Sequence, residues 1–244
     1  MPVNIHPLTR KLESFFPLTD DEKRAVLALP FAFREFAGDQ DIVADGARPK
    51  QCVVILEGFA CRYKLLANGK RQIFSFHIAG DLPDLQSIHL DVMDHALGTL
   101  VPTRVGTLSH DVLRTFPRTH PRISDAMWRE MLIDAAIFRE WIANVGRRDA
   151  YTRAAHLLCE LFTRMKAVGL TDGQVYEVPL TQEELGDAMG LSTVHVNRTL
   201  QELRGNGLIR SLGRKIVVTD WNGLQEAGQF DPTYLHLRRD PVNA

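Results

Sequence analysis

Hydrophobic and polar positions change rhythm twice along this chain. Phe59, Cys61, Tyr63 and Leu65 alternate with Ala60, Arg62 and Lys64, the period of two expected of a half-buried strand. Asn68-Gly69 then predicts a tight hairpin turn, and Phe74, Phe76 and Ile78 resume the alternation beyond it. Turn signals recur at Gly38-Asp39, Asp45-Gly46, Glu57-Gly58 and Gly80-Asp81. That spacing predicts an antiparallel β-roll over residues 30–112, preceded by a helical lead-in over Asp20–Leu29. From Pro121 to Val145 the period becomes helical. Met127, Met131, Asp134, Phe138, Trp141 and Val145 follow at alternating intervals of four and three, a heptad-like stripe widened by Ile133 and Ile137.

A stripe that broad can cover the roll and a second copy of the chain, so self-association through this helix is the preferred expectation. Asp134 within it objects mildly, because a buried carboxylate needs a partner. Gly146 to Tyr151 reads as a hinge, with Gly146 ending one helix and Asp149 capping the next. Ala154, Leu157, Leu158, Leu161, Phe162 and Met165 then form the apolar face of a further helix. The expected fold is α+β in four parts: a roll with its lead-in (1–117), the long helix and hinge (118–148), a second domain (149–222) and a tail (223–244) containing Arg238-Arg239, with no evident job.

The stretch "LTQEELGDAMGLSTVHVNRTLQELRGNGLI" is the most informative. Thr181 and Glu184 form a capping box that starts a short helix, Gly190 stops it, and Ser192 caps the next. Val196, Thr199, Leu200 and Leu203 lie on one face of that second helix. The opposite face presents Thr193, Val194, Asn197, Arg198 and Gln201. Two helices joined by a tight turn, the second polar outward, match the helix-turn-helix geometry that lays its second helix in the major groove of DNA. Two strands follow, one through Ile209 and one from Lys215 to Thr219, joined at Leu212-Gly213. This hairpin makes a wing that places Arg210, Arg214 and Lys215 against phosphates.

Composition adds little to this picture and local charge adds more. The formal net charge of the 244 residues is −1, which by itself announces no polyanionic partner. Between Thr193 and Ile216, however, five basic residues face one acid, a local +4. The three cysteines, Cys52, Cys61 and Cys159, are scattered and odd in number, which argues against a disulfide framework or a four-cysteine cluster. No apolar run is long enough to span a membrane, and the first residues lack a signal sequence, so a cytoplasmic location is expected.

A roll, a long helix and this winged helix-turn-helix, in that order, resemble the transcription regulators grouped around the cyclic-AMP receptor protein and the fumarate and nitrate reduction regulator. The resemblance spans about residues 10 to 220. It implies a cyclic-nucleotide-binding-like, cupin-like roll, a long dimerisation helix, a homodimer on a near-palindromic operator in double-stranded DNA, and RNA polymerase as a further candidate partner. Arg198 falls on the family's guanine-reading arginine, whose paired donors suit O6 and N7. Val194 stands where many members carry a cytosine-reading glutamate; it can touch only a thymine methyl. Thr193 and His195 hold the neighbouring family positions.

The same resemblance locates a candidate effector pocket at Gly80, Asp81, Met93, Asp94 and His95. Met93 and Asp94 replace the arginine and hydroxyl that hold a cyclic phosphate, so cyclic-AMP binding is not expected. No cysteine precedes Cys52, which speaks against the family's iron-sulfur sensor. His77 reads as a satisfied histidine rather than a haem ligand. His89 and His95, near Asp91 and Asp94, read as loop residues rather than a metal site, and the cofactor stays unknown. Two rivals remain. An enzyme on a cupin-like roll needs a compact histidine and carboxylate set, which is not visible. A cyclic-nucleotide-binding module acting on a protein partner needs the missing arginine.

Overall fold

The computed structural model describes residues 6–238; Arg239 and the rest of the tail lie outside that range. The chain divides into two compact units. Among the described residues, the first comprises 6–64, Ser75–Ala135 and 236–238, and the second comprises Leu65–Phe74 and Ala136–Leu235.

The first unit opens with α1 (Pro7–Glu13), a helix the hydrophobic pattern does not announce, and α2 (Asp20–Leu27), started by a Thr19–Glu22 capping box. Seven strands follow: β1 (Ala32–Phe36), β2 (Asp41–Val43), β3 (Gln51–Glu57), β4 (Ala60–Leu65), β5 (Arg71–His77), β6 (Ala96–Thr99) and β7 (Thr103–Ser109). They form two sheets, ordered β1-β7-β3 and β2-β6-β4-β5. Val53, Ile55, Ala60, Leu97 and Val105 make a core cluster, against which Phe36, Ile42 and Val43 pack. A 3-10 turn at Leu85–Ile88 lies between β5 and β6.

The alternation expected in β4 holds only in part. Phe59, Ala60, Cys61 and Arg62 are all buried, and Leu65 is exposed. Arg62 can be buried because its guanidinium is satisfied on both sides: Nε donates to the Pro83 carbonyl at 2.6 Å and Nη1 meets Asp134 at 2.7 Å. A cation at a nominally outward position is thus held inside the roll, and Asp134 has the partner its place in the helix demanded.

β7 leads into α3 (His110–Thr119), capped by Ser109, and then into α4 (Pro121–Arg147), a single helix of 27 residues. Gly146 does not end α4, which continues to Arg147; Asp149 does cap α5 (Ala150–Ala167), accepting from the Thr152 amide at 2.8 Å.

In the second unit α5 carries a core of Ala154, Leu157, Leu158, Leu161, Phe162 and Met165. The hairpin β8 (Thr171–Asp172) and β9 (Val175–Glu177) is joined by the wing strands β10 (Ile209–Leu212) and β11 (Lys215–Val218) in the order β10-β11-β9-β8. Between them run α6 (Gln182–Met189) and α7 (Thr193–Gly205).

The tail has a structural task. In α8 (Trp221–Gly228), the Gly228 carbonyl lies 3.0 Å from His156 Nδ1 on α5. Phe230 packs edge-on against that imidazole, and the Tyr234 hydroxyl donates to Glu160 at 2.8 Å. These side chains close one side of α5.

Candidate nucleic-acid interface and sensor region

The reading head is assembled by local rules. The Thr181 hydroxyl accepts from the Glu184 amide while the Glu184 carboxylate accepts from the Thr181 amide, which fixes the start of α6. Gly190 turns the chain with φ of +65°, a conformation that strains a residue with a side chain. Ser192 then caps α7 by accepting from the His195 amide at 3.3 Å.

The caps and the turn set which way α7 faces. Val196, Thr199 and Leu203 are buried, and the opposite side is open. Val194 is 79% exposed; Thr193, Arg198 and Gln201 are exposed, His195 and Asn197 half-buried. Asn197 donates to Gln182 on α6 at 3.3 Å, tying the two helices at their outer edge. Gln182, Thr193, Val194, Asn197, Arg198 and Gln201 together line a shallow depression of about 380 Å³.

The wing stands beside it. Arg210, Arg214 and Lys215 are exposed on β10, the turn and β11, and the Arg204 guanidinium donates to the Ser211 hydroxyl at 3.0 Å, bracing α7 against the wing. Arg214 also reaches the Pro179 carbonyl at 3.4 Å. The result is a polar helix flanked by cations that keep most of their donors free for an anionic backbone.

The candidate effector pocket is organised differently. Gly80 has φ of +102°, and a Cβ there would lie 2.6 Å from the Pro7 carbonyl oxygen, so α1 closes over it. Asp81 is buried; its carboxylate accepts from the Ile78 amide at 3.1 Å and pairs with Lys11 of α1 at 2.8 Å. Lys11 also lies 3.5 Å from Glu130 on α4. Met93 is buried, whereas Asp94 points outward and takes the His95 ring at 2.6 Å.

His77 hydrogen-bonds Ser75 at 2.8 Å; burial, assisted by the Arg62 charge, pushes its imidazole down to about 4, so it is neutral near pH 7. Sequence reasoning missed Lys11 and Arg62 as members of this region. An arginine at an alternating strand position reads as solvent-facing, and nothing in α1 signals that its lysine is buried. Among the described residues, no group of three or more His, Cys, Asp or Glu side chains is arranged to hold a metal ion.

On α4 the expected stripe lies one residue away from the free face. Trp141 is 6% exposed and its indole donates to both Glu160 oxygens at 3.1 Å. Asp134 is held by Arg62, and Met127, Met131, Phe138 and Val145 are half-buried. The outward line runs instead through Trp128, Leu132, Ala135, Arg139 and Ile142, with the same intervals of four and three; Trp128, Leu132 and Ile142 are 57, 64 and 74% exposed. The helix therefore carries two apolar stripes, and tertiary contacts select which one is left over.

An outward polar helix after a tight turn, braced by a cationic hairpin, defines a DNA-binding winged helix-turn-helix. With an antiparallel roll and a long helix ahead of it, that is the build of a transcription regulator. Comparison with known proteins places it more closely. Residues 152–227 match the family described as "Crp-like helix-turn-helix domain". The chain is 27% identical over 217 residues to the transcriptional activator protein FnrL of Cereibacter sphaeroides, covering 86% of each, and 25% identical over 226 residues to the anaerobic regulatory protein of Haemophilus influenzae, covering 86% of this chain and 88% of that one. Its fold is similar to that of FixK2 from Bradyrhizobium japonicum, with a TM-score of 0.74, 23% identity, and coverage of 82% of this chain and 98% of the other. These likenesses support a transcription regulator of the superfamily grouped around the cyclic-AMP receptor protein and the fumarate and nitrate reduction regulator, with a Crp-like helix-turn-helix domain at residues 152–227.

Proposed function

We propose that this regulator binds DNA as a homodimer, paired through the Trp128–Leu132–Ile142 face of α4, and reads a near-palindromic operator with two copies of α7. The observation that carries the reading is the exposure of Val194, Arg198 and Gln201 on a helix whose other face is fully committed to packing. Arg198 offers paired donors to a guanine edge, and Val194 offers only methyl groups, which suits a thymine. Arg210, Arg214 and Lys215 contact phosphates and contribute affinity without sequence choice. A symmetric pair presents its reading helices to successive major grooves about 34 Å apart. RNA polymerase, by resemblance, is the further partner through which such a regulator acts.

The roll holds neither a cyclic phosphate nor an iron-sulfur cluster in this reading. Met93 is buried and apolar, Asp94 points outward and supplies no donor to a phosphate, and the buried cation nearest in role, Arg62, is already bonded to Asp134 and Pro83. The cysteines of the roll, Cys52 and Cys61, are buried, and burial pushes the Cys52 thiol up.

A gel-shift titration of the full chain against duplexes selected from a random pool tests the proposal. Arg198→Ala is expected to weaken the selected duplex by roughly 30- to 20,000-fold, the worth of two bidentate guanine contacts, one from each copy of the chain. Lys215→Ala is expected to weaken all duplexes alike and to shallow the salt dependence. Binding indifferent to Arg198 would sink it.

A further inference from the structure

Two cavities in the first unit meet at one arginine. The larger, of about 400 Å³, lies between the 3-10 turn at Leu85–Ile88, α3 and the first turns of α4. Its floor is apolar: Leu85, Ile88 and Leu113 are buried side chains that show one edge to it, Met127 closes the back, and the exposed indole of Trp128 forms a wall. Its mouth is cationic. Arg114 and Arg118, four residues apart on one face of α3, stand there beside His89, and no acidic side chain lines it among the described residues.

Arg114 is held in position, donating to the Ile88 carbonyl at 2.8 Å with Asp111 at 3.7 Å, while half of its side chain stays open. On its other side a polar cavity of about 370 Å³ adds Arg48, Lys50 and the buried Ser87–His110 hydrogen bond of 3.0 Å; Asp91 and Asp111 also line that one.

A half-open cavity with an apolar floor and two guanidinium groups among its exposed lining residues offers what a small amphipathic anion requires. The volume is that of ordinary ligand pockets, and the fixed fork of an arginine matches a carboxylate. We infer that the cavity under Trp128 is a binding site for an apolar carboxylic acid, its chain or ring over Leu85, Ile88 and Leu113 and its carboxylate between Arg114 and Arg118. This site is separate from the one at Gly80 and Asp81, where α1 and Lys11 fill the space. Trp128 also begins the exposed stripe of α4, so an occupant changes the surface used in the proposed pairing. Binding does not rest on that pairing, and the test reads it without DNA.

The full chain is titrated with sodium decanoate below its micelle concentration, and with 1-decanol as the uncharged counterpart, while tryptophan emission is followed. Trp128 lines the cavity whereas Trp141 and Trp221 do not, so it supplies the signal. Decanoate is expected to give a saturable blue shift that is lost in Trp128→Phe. The Arg114→Ala, Arg118→Ala double variant is expected to bind decanoate at least about tenfold more weakly and decanol unchanged. An unchanged circular dichroism melt shows that the variant is folded, and isothermal calorimetry on Trp128→Phe detects binding without the indole. Decanol binding as tightly as decanoate, or a double variant with undiminished decanoate affinity, overturns the inference. So does a Trp128 whose emission shifts with protein concentration and ignores decanoate, which would make a second copy of the chain the occupant.

Discussion

Leu132→Asp separates pairing through α4 from folding of the single chain. Leu132 sits mid-way along the outward line of α4 and is 64% exposed. Burying a leucine fully contributes about 1.5–3 kcal/mol, so covering its exposed part contributes about 1–2 kcal/mol per copy. In the proposed pair symmetry doubles this to about 2–4 kcal/mol across the seam, because the same residue would be covered on both copies. The aspartate removes that term and adds two carboxylates facing each other. The dimer dissociation constant is therefore expected to rise by about 30- to 1,000-fold, measured by sedimentation equilibrium over a range of protein concentrations. The melting midpoint of the monomer should hardly move, since a substitution on an open helix face usually costs within about 0.5 kcal/mol plus a small propensity loss. A dissociation constant unchanged within about threefold would rule out pairing through this face of α4.

Trp141→Phe should do the reverse: it leaves the Glu160 carboxylate without its two indole contacts, so urea melts should show stability falling by about 1–3 kcal/mol with the self-association constant unchanged. Asp84 gives a pH signature. Burial raises its carboxyl to about 7, although the Val53 amide and Arg62 favour its charged form. The folded state thus holds a proton that the unfolded chain has lost, and this group's contribution to stability declines as pH rises from about 4 to about 7. Urea melts of Asp84→Asn across that window should show the variant gaining on the unmodified chain up to about pH 7 and level above it; a difference independent of pH would contradict the assignment.

The reading head was legible in the sequence because each of its decisions is local. A capping box, a positive-φ glycine and a serine cap lie within a dozen residues, and the spacing of Val196, Thr199 and Leu203 fixes which side of α7 faces out. The roll was legible as a succession of short strands. Its interior was not, because burial of Arg62 depends on Asp134, 72 residues away. Which side of α4 stays exposed was not legible for a related reason. Its sequence carries two apolar lines one residue apart, and only packing against other elements decides which is consumed. The tail was opaque because α8 is short; Phe230 and Tyr234 find their partners on α5, more than 70 residues earlier.

Selection of bound duplexes from a random pool by the full chain tests the central claim most directly. The expected result is an enriched site made of two inverted half-sites whose centres lie about one helical turn apart, with a guanine in each half that loses its preference in Arg198→Ala. Recovery of no enriched sequence, or of a single unrepeated half-site bound with the same affinity as the pair, would contradict it.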